Sequence, residues 1–303
     1  MSDSSDHSTV PTEPVILVAG ATGNAGGAVA RALIESGRAV RAVVRRADET
    51  RLPEGVDAVV GDLDRPETLA GHLDGVAAAF LLSGYDGLTE TLAHMRLAGV
   101  QRVVLLSSSA APGGDLDNAI ARYHILSEHA VAQSGLAWTF LRPNSFMSNT
   151  HRWLPQIRAG DVVRLPFAEV PIAVIHPDDL GRAAAAALTS GAHEGRAYRL
   201  SGPEALRPAE QVEILARAIG RDLRFEAQPD EEARAEMRRS MPPEYVDAFF
   251  DFFAEGAIDE TTVHDTVAEI TGRPPLTFAR WARENAPAFG TSARTDHDPR
   301  REP

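Results

Sequence analysis

The segment that most restricts this chain is Val15 to Arg46, VILVAGATGNAGGAVARALIESGRAVRAVVRR. An apolar run meets a glycine-rich turn, then a helical run, then a second apolar run. Gly20, Gly23 and Gly26 fall three apart, directly after the first run. In such a unit the first glycine permits the tight turn and the second lets the backbone approach a pyrophosphate. The third allows the helix to pack closely on the strand. Thr22, Asn24 and Ala25 complete the turn. The following helix offers unpaired N–H groups and a positive dipole end. A strand–turn–helix–strand unit of this kind is built to hold a dinucleotide.

The end of the second strand selects between dinucleotides. A site for NAD carries an acid about 20 residues on, placed to bind the ribose 2′-hydroxyl. Here Val44, Arg45 and Arg46 occupy that place. A guanidinium suits a 2′-phosphate through paired, charge-assisted hydrogen bonds. The expected cofactor is therefore NADP(H), although Asp48 and Glu49 lie near enough to divert one arginine. Asp62 and Leu63, in GDLD, follow the third strand and are placed to meet the adenine edge. Asp62 can equally serve as a helix cap before Pro66.

Apolar runs and amphipathic runs alternate through about residue 142. Strands are predicted at 15–20, 39–44, 58–60, 76–82, 102–107 and 137–141. Helices are predicted at 24–37, 66–73, 86–98, 116–135 and 145–159. Short Val-, Leu- and Ala-rich strands between helices read as buried on both faces. The expected class is α/β, a Rossmann-type doubly wound parallel sheet with a smaller, mainly helical C-terminal cap. Beyond Thr150 come a strand-like VPIAVI (170–175), a polyalanine helix (177–190), YRL (198–200), a helix at 208–219 and LRFEA (223–227). The stretch 230–286 reads as helix throughout. The expected organisation is a disordered tail (1–13), a cofactor domain (14–150), a substrate cap with elements returning to the sheet (151–290) and a second disordered tail (291–303). The narrow polyalanine helix is expected to pack tightly against the sheet.

Composition removes several classes of function. The net charge of −13 argues against a nucleic-acid partner and against anionic membrane. The chain has no cysteine, so thiolate chemistry is absent. No apolar run reaches the roughly 18 residues of a membrane helix, and a cytoplasmic location is expected. All 30 basic residues are arginine, so lysine cannot act as an acid, a base or a Schiff-base former. No histidine spacing suggests a metal site, and no GxSxG or HExxH is present.

With these come LLSSS, SGLAWTFLRPNSFMSN, IHPDDLGRAAAAALT, YRLSGPEAL, AFFDFFAEGAID and TGRPPLTFARWARENAPAF. Together they resemble the NmrA-like branch of the atypical short-chain dehydrogenases, across about residues 14–289. The resemblance implies a Rossmann domain and a small helical cap closing over the nicotinamide. It embraces NADPH-dependent quinone and azo-dye reductases, and NADP-sensing regulators without turnover.

In ordinary short-chain dehydrogenases a YxxxK pair does the acid–base work. Here Tyr123 is followed four residues later by Ser127. The KxxxE of the related NmrA and isoflavone-reductase-like proteins becomes HILSE, which puts His124 at the lysine position and Glu128 at the glutamate; Ile120 then stands at the tyrosine position. His124 is the remaining candidate to bind a ribose hydroxyl or to titrate near neutrality. One turn apart, His124 and Glu128 can also simply pair. Ser107, with Ser108 and Ser109, ends a parallel strand at the edge where ligands bind. Ser83 and Tyr85 end the fourth strand and are candidate flanks of the cofactor. The resemblance places Pro143, Asn144 and Phe146 beside the nicotinamide. Asn144 is a candidate to hold the carboxamide or a substrate carbonyl, or is a turn residue after proline. Tyr245, Phe249, Phe252 and Phe253 share one helical face with Phe250 nearby, forming either core or the wall of a flat apolar pocket.

The expected function is an NADPH-dependent oxidoreductase passing hydride to a quinone-like or other conjugated aromatic acceptor. The alternative is a catalytically silent NADP(H)-sensing protein with a protein partner.

Overall fold

The computed structural model describes residues 14–46 and 52–290. The two terminal tails expected to be disordered, and Asp48 and Glu49, lie outside the described residues. Among the described residues there are nine strands: β1 (Val15–Ala19), β2 (Val40–Val44), β3 (Asp57–Val60), β4 (Val76–Leu82), β5 (Arg102–Leu106), β6 (Ala137–Pro143), β7 (Val162–Leu165), β8 (Arg196–Leu200) and β9 (Arg224–Ala227). The α-helices are α1 (Asn24–Glu35), α2 (Leu88–Leu97), α3 (Ala119–Gln133), α4 (Leu154–Ala159), α5 (Pro177–Thr189), α6 (Pro208–Ile219), α7 (Asp230–Met237), α8 (Pro243–Phe253), α9 (Thr266–Thr271) and α10 (Phe278–Phe289).

Seven strands form one sheet in the order β3-β2-β1-β4-β5-β6-β8. The ladders from β3 through β6 are parallel. Alternate residues face one side: Leu17, Ala79, Leu81, Val103, Leu105 and Phe140 pack with Leu92 and Met95 of α2 and Val131 of α3. The intervening Val18, Phe80 and Val104 are buried as well. Both faces are covered, as the continuous apolar strands require. The sheet is the Rossmann-like arrangement expected. Between β1 and β4 the strand order reverses, and such sheets bind ligands at the carboxyl ends of the strands there.

The chain forms two compact units. The first comprises residues up to Ser107, Tyr123–Leu141 and Leu180–Tyr198; the second comprises Ser108–Arg122, Arg142–Asp179 and the chain from Arg199. In the first unit a methyl group on Gly181 would strike the Ala28 carbonyl, so α5 lies close against α1 through its small residues. The second unit has its own core, in which Val212, Leu215 and Ile219 of α6 meet Phe278, Trp281 and Phe289 of α10. It also contains a two-stranded parallel sheet of β7 and β9.

Several expected elements differ. VPIAVI makes only single bridges, Ile172 with Leu206 and Ile175 with Phe146; Pro171 within it has no N–H for a ladder. β7, a four-residue strand between Gly160 and Pro166, was too short to read from periodicity. Residues 66–73 give one 3₁₀ turn, Pro66–Leu69. The helix expected over 145–159 is a 3₁₀ helix, Met147–Trp153, running into α4. α3 begins at Ala119 because Asn118 Oδ1 accepts the N–H groups of Ile120 (3.0 Å) and Ala121 (3.1 Å). The stretch 230–286 is broken at 238–242, at 272–277 and, longest, at 254–265. There the Asp259 carboxylate accepts from the backbone and hydroxyls of Thr261 and Thr262, a local alternative to helix.

Candidate functional site

The turn after β1 has the steric form of a phosphate cradle. Gly20 has φ +65, in the left-handed region that favours glycine. A methyl group on Gly26 would overlap the Gly20 carbonyl, and one on Gly23 would lie 3.3 Å from the same oxygen. Helix α1 therefore starts tight against the strand end, with Thr22, Asn24 and Ala25 in the turn and first helical turn. No side-chain cap and no acid occupies its first turn, so its N–H groups and dipole remain open to an anion. These residues fit a dinucleotide pyrophosphate.

Arg45 and Arg46 follow β2 and are both exposed. Asp62 turns inward on its own loop, where its carboxylate accepts from the Asp64 N–H at 3.1 Å and from Arg65 Nε at 3.3 Å. Leu63 is buried, and its carbonyl accepts from Thr91 Oγ1 at 3.1 Å. Ser83 Oγ donates to the Leu106 carbonyl at 2.9 Å. Tyr85 is half-buried, and burial, reinforced by Asp64, raises its pKa.

His124 departs from expectation in two ways. Glu128 does not bond to it; Glu128 Oε1 accepts the Ser107 hydroxyl at 2.5 Å. His124 Nδ1 is buried without a hydrogen-bond partner. Burial also lowers its pKa to about 4, so the imidazole is neutral near pH 7 and does not titrate there. Its ring lies 4.2 Å, centroid to centroid, from that of Tyr123.

Pro143, Asn144 and Phe146 belong to the second unit. Pro143 is buried, and its carbonyl accepts the Ser109 N–H at 3.0 Å. Asn144 is 1% exposed, and Nδ2 donates to the carbonyls of Glu260 (3.1 Å) and Ala173 (3.4 Å). With its donors spent, Asn144 has no N–H left for a substrate carbonyl; only Oδ1, buried and unpartnered, remains. Glu260, which sequence reasoning missed, gathers this region. Its carboxylate accepts from Ser109 Oγ at 2.7 Å, Ser145 Oγ at 2.7 Å and the Ser145 N–H at 3.1 Å. Burial pushes its pKa up, against these bonds. Only an acid in a helical-looking run marked it, and no local signal distinguishes such an acid.

A cavity of about 610 Å³ lies wholly within the second unit. Phe146, Trp153, Phe249 and Phe253 line it, whereas Phe250 joins a small core with Val246 and Ala233. The aromatic stripe of α8 thus divides between pocket and core, because Phe249 and Phe253 are four apart on one face. Phe167, also in the wall, is the one non-glycine residue with positive φ (57) among the described residues. Its ring meets Phe250 edge-on at 4.9 Å. Such backbone positions cluster at ligand clamps.

Among the described residues, one acidic cluster lies within ligand spacing: His176, Asp178 and Glu284. Its members are joined by hydrogen bonds. His176 Nδ1 accepts the Asp178 N–H at 3.1 Å, which leaves Nε2 to donate to Glu284 Oε2 at 3.1 Å. No helix of the described residues is long and apolar enough to cross a membrane.

A family model for NAD(P)H-binding matches residues 20–190. The chain is 40% identical over 282 residues to the (4-alkanoyl-5-oxo-2,5-dihydrofuran-3-yl)methyl phosphate reductase of Streptomyces griseus, covering 91% of this chain and 99% of that protein. It is 35% identical over 288 residues to the NAD(P)H azoreductase of Xenophilus azovorans, covering 92% and 100%. The NADPH complex of an Escherichia coli quinone oxidoreductase shares the fold, with a TM-score of 0.74 at 22% identity, covering 89% of this chain and 99% of that one. The glycine turn, the strand order and these relatives agree: the chain belongs to the NAD(P)H-binding family, as an NAD(P)H-dependent reductase.

Proposed function

We propose that the protein prefers NADPH and reduces a conjugated, quinone-like acceptor without a tyrosine–lysine pair. In this reading Gly20, Thr22, Gly23, Asn24, Ala25 and Gly26 hold the pyrophosphate, and Arg45 or Arg46 grips the 2′-phosphate. Asp62 and Leu63 border the adenine, while Ser83, Ser107 and His124 lie along the ribose side. Pro143, Asn144 and Phe146 are the residues assigned to the nicotinamide. Bound NADPH supplies the hydride. The chain's own residues orient the reactants and exclude water.

The observation that carries the reading is the buried His124 Nδ1, neutral and without a partner, in a chain without lysine. It offers one hydrogen bond and no strong acid. A simple ketone needs a proton delivered as charge develops on oxygen. A conjugated acceptor spreads that charge and can take its proton from solvent after release, so a single neutral imidazole suffices. The two relatives are named for an azo substrate and for a ring alkene conjugated to carbonyl groups, which fits the same class.

The test is NADPH consumption, followed at the nicotinamide absorbance, with a panel of quinones and α,β-unsaturated lactones. Turnover with conjugated acceptors and none with simple ketones is expected. NADPH binding without turnover on any member would instead select the NADP(H)-sensing reading, which the missing acid–base pair also favours.

A further inference from the structure

The cavity of the second unit is largely apolar, and most of its polar edge is already engaged. Gln156 exchanges two bonds with the Arg164 backbone, at 2.8 and 3.1 Å. The Arg164 guanidinium is held by Glu226 and Glu232, each at 2.9 Å. Gln211 donates to the Leu206 carbonyl at 3.2 Å, and Gln228 to Glu236 at 2.7 Å. Of the charged and amide side chains in the lining, only Asn149 and Arg152 have no hydrogen bond or ion pair among the described residues.

These two stand three residues apart on the 3₁₀ helix Met147–Trp153, where side chains at i and i+3 eclipse. Phe146, three residues earlier at the N-cap, lines the same cavity. One stripe thus presents an aromatic ring, an amide and a guanidinium in order along the cavity wall. The Arg152 guanidinium is exposed at this edge and keeps its full set of donors. Beside an amide it matches an oxyanion that accepts two or more hydrogen bonds.

We propose that Arg152 and Asn149 seat an anionic oxygen group (carboxylate, sulfonate or phosphate) borne by the acceptor, whose apolar body lies on Phe146 and the aromatic wall. This rests on the reading of the protein as a reductase of conjugated acceptors. It makes Arg152 a specificity-determining residue.

Matched acceptors test it: 1,2-naphthoquinone and 1,2-naphthoquinone-4-sulfonate at saturating NADPH. The wild type should favour the sulfonate, chiefly through KM. The ratio of kcat/KM, sulfonate over neutral, should fall by about tenfold or more in Arg152→Ala, as for one lost hydrogen bond to a charged group. Asn149→Ala should lower it by about threefold, a neutral donor's share. A ratio unchanged by Arg152→Ala, or a loss falling equally on both acceptors, overturns the proposal. Calorimetric titration with naphthalene-2-sulfonate, compared with 2-naphthol, separates the seat from catalysis. Sulfonate binding weakened by Arg152→Ala without any quinone turnover keeps the seat and sinks the reductase reading. Turnover without sulfonate preference or Arg152-dependent binding does the reverse.

Discussion

The Ser109 hydroxyl donates to Glu260 Oε1 at 2.7 Å across 151 residues of sequence. The same carboxylate holds the hydroxyl and N–H of Ser145. Glu260→Ala would leave the buried Ser109 hydroxyl and the half-buried Ser145 donors unpaired and should cost about 1–3 kcal/mol of stability. Urea unfolding measures it. A loss below about 0.5 kcal/mol, the scale of ordinary surface changes, would show that water replaces the carboxylate.

The same residue carries a pH signature. Burial raises the Glu260 pKa, so between the ordinary and raised values the folded state keeps a proton that the unfolded state has released. Its stability contribution is therefore greatest below the ordinary glutamate pKa and declines as pH climbs through that window. Glu260→Gln can satisfy the same three groups and does not titrate. The stability difference between wild type and Glu260→Gln should shift toward the variant as pH rises. A pH-independent difference would place the pKa at its ordinary value.

His124 should act in the opposite sense. Its folded pKa lies at about 4, below the ordinary 6.5. The unfolded state then binds the extra proton, and stability is lost as pH falls from 6.5 toward 4. His124→Leu should flatten that part of the stability profile. The wild-type rate should show no break from His124 near 6.5. If His124 positions the ribose, His124→Ala should weaken NADPH binding by about 0.5–1.5 kcal/mol, and saturating cofactor should restore most of the rate.

Arg45 and Arg46, both exposed at the end of β2, are the residues proposed to set cofactor choice. Titration should show NADPH binding more tightly than NADH. Arg45→Ala should cost NADPH about 1.5–3 kcal/mol, the range for hydrogen bonds to charged groups, with little effect on NADH. Equal affinities in the wild type would remove the 2′-phosphate assignment; an effect confined to Arg46→Ala would move it by one residue.

Gly23→Val should abolish cofactor binding with an unchanged circular dichroism spectrum, because its side chain would fill the space the pyrophosphate needs. Gly26→Ala should also unfold at lower urea concentration, since its methyl group would press on the Gly20 carbonyl; overpacking typically costs about 1–3 kcal/mol. Retained NADPH affinity in Gly23→Val would refute the phosphate-turn reading.

By itself the sequence determined the dinucleotide turn, the strands from β1 to β6 and the chemistry a lysine-free chain cannot perform. Those features rest on short-range rules: the room a glycine leaves, the period of apolar residues, the identity of one side chain. Only the tertiary structure decided that Glu128 serves Ser107 and leaves His124 neutral and unpaired. It likewise decided that Asn144 is spent on Glu260 and Ala173, that 254–265 is no helix, and that Phe249 faces a cavity while Phe250 fills a core. These outcomes depend on which groups meet after burial. The desolvation that shifts His124 and Glu260, and the partners that answer it, come from segments distant in the chain, where no local spacing records them.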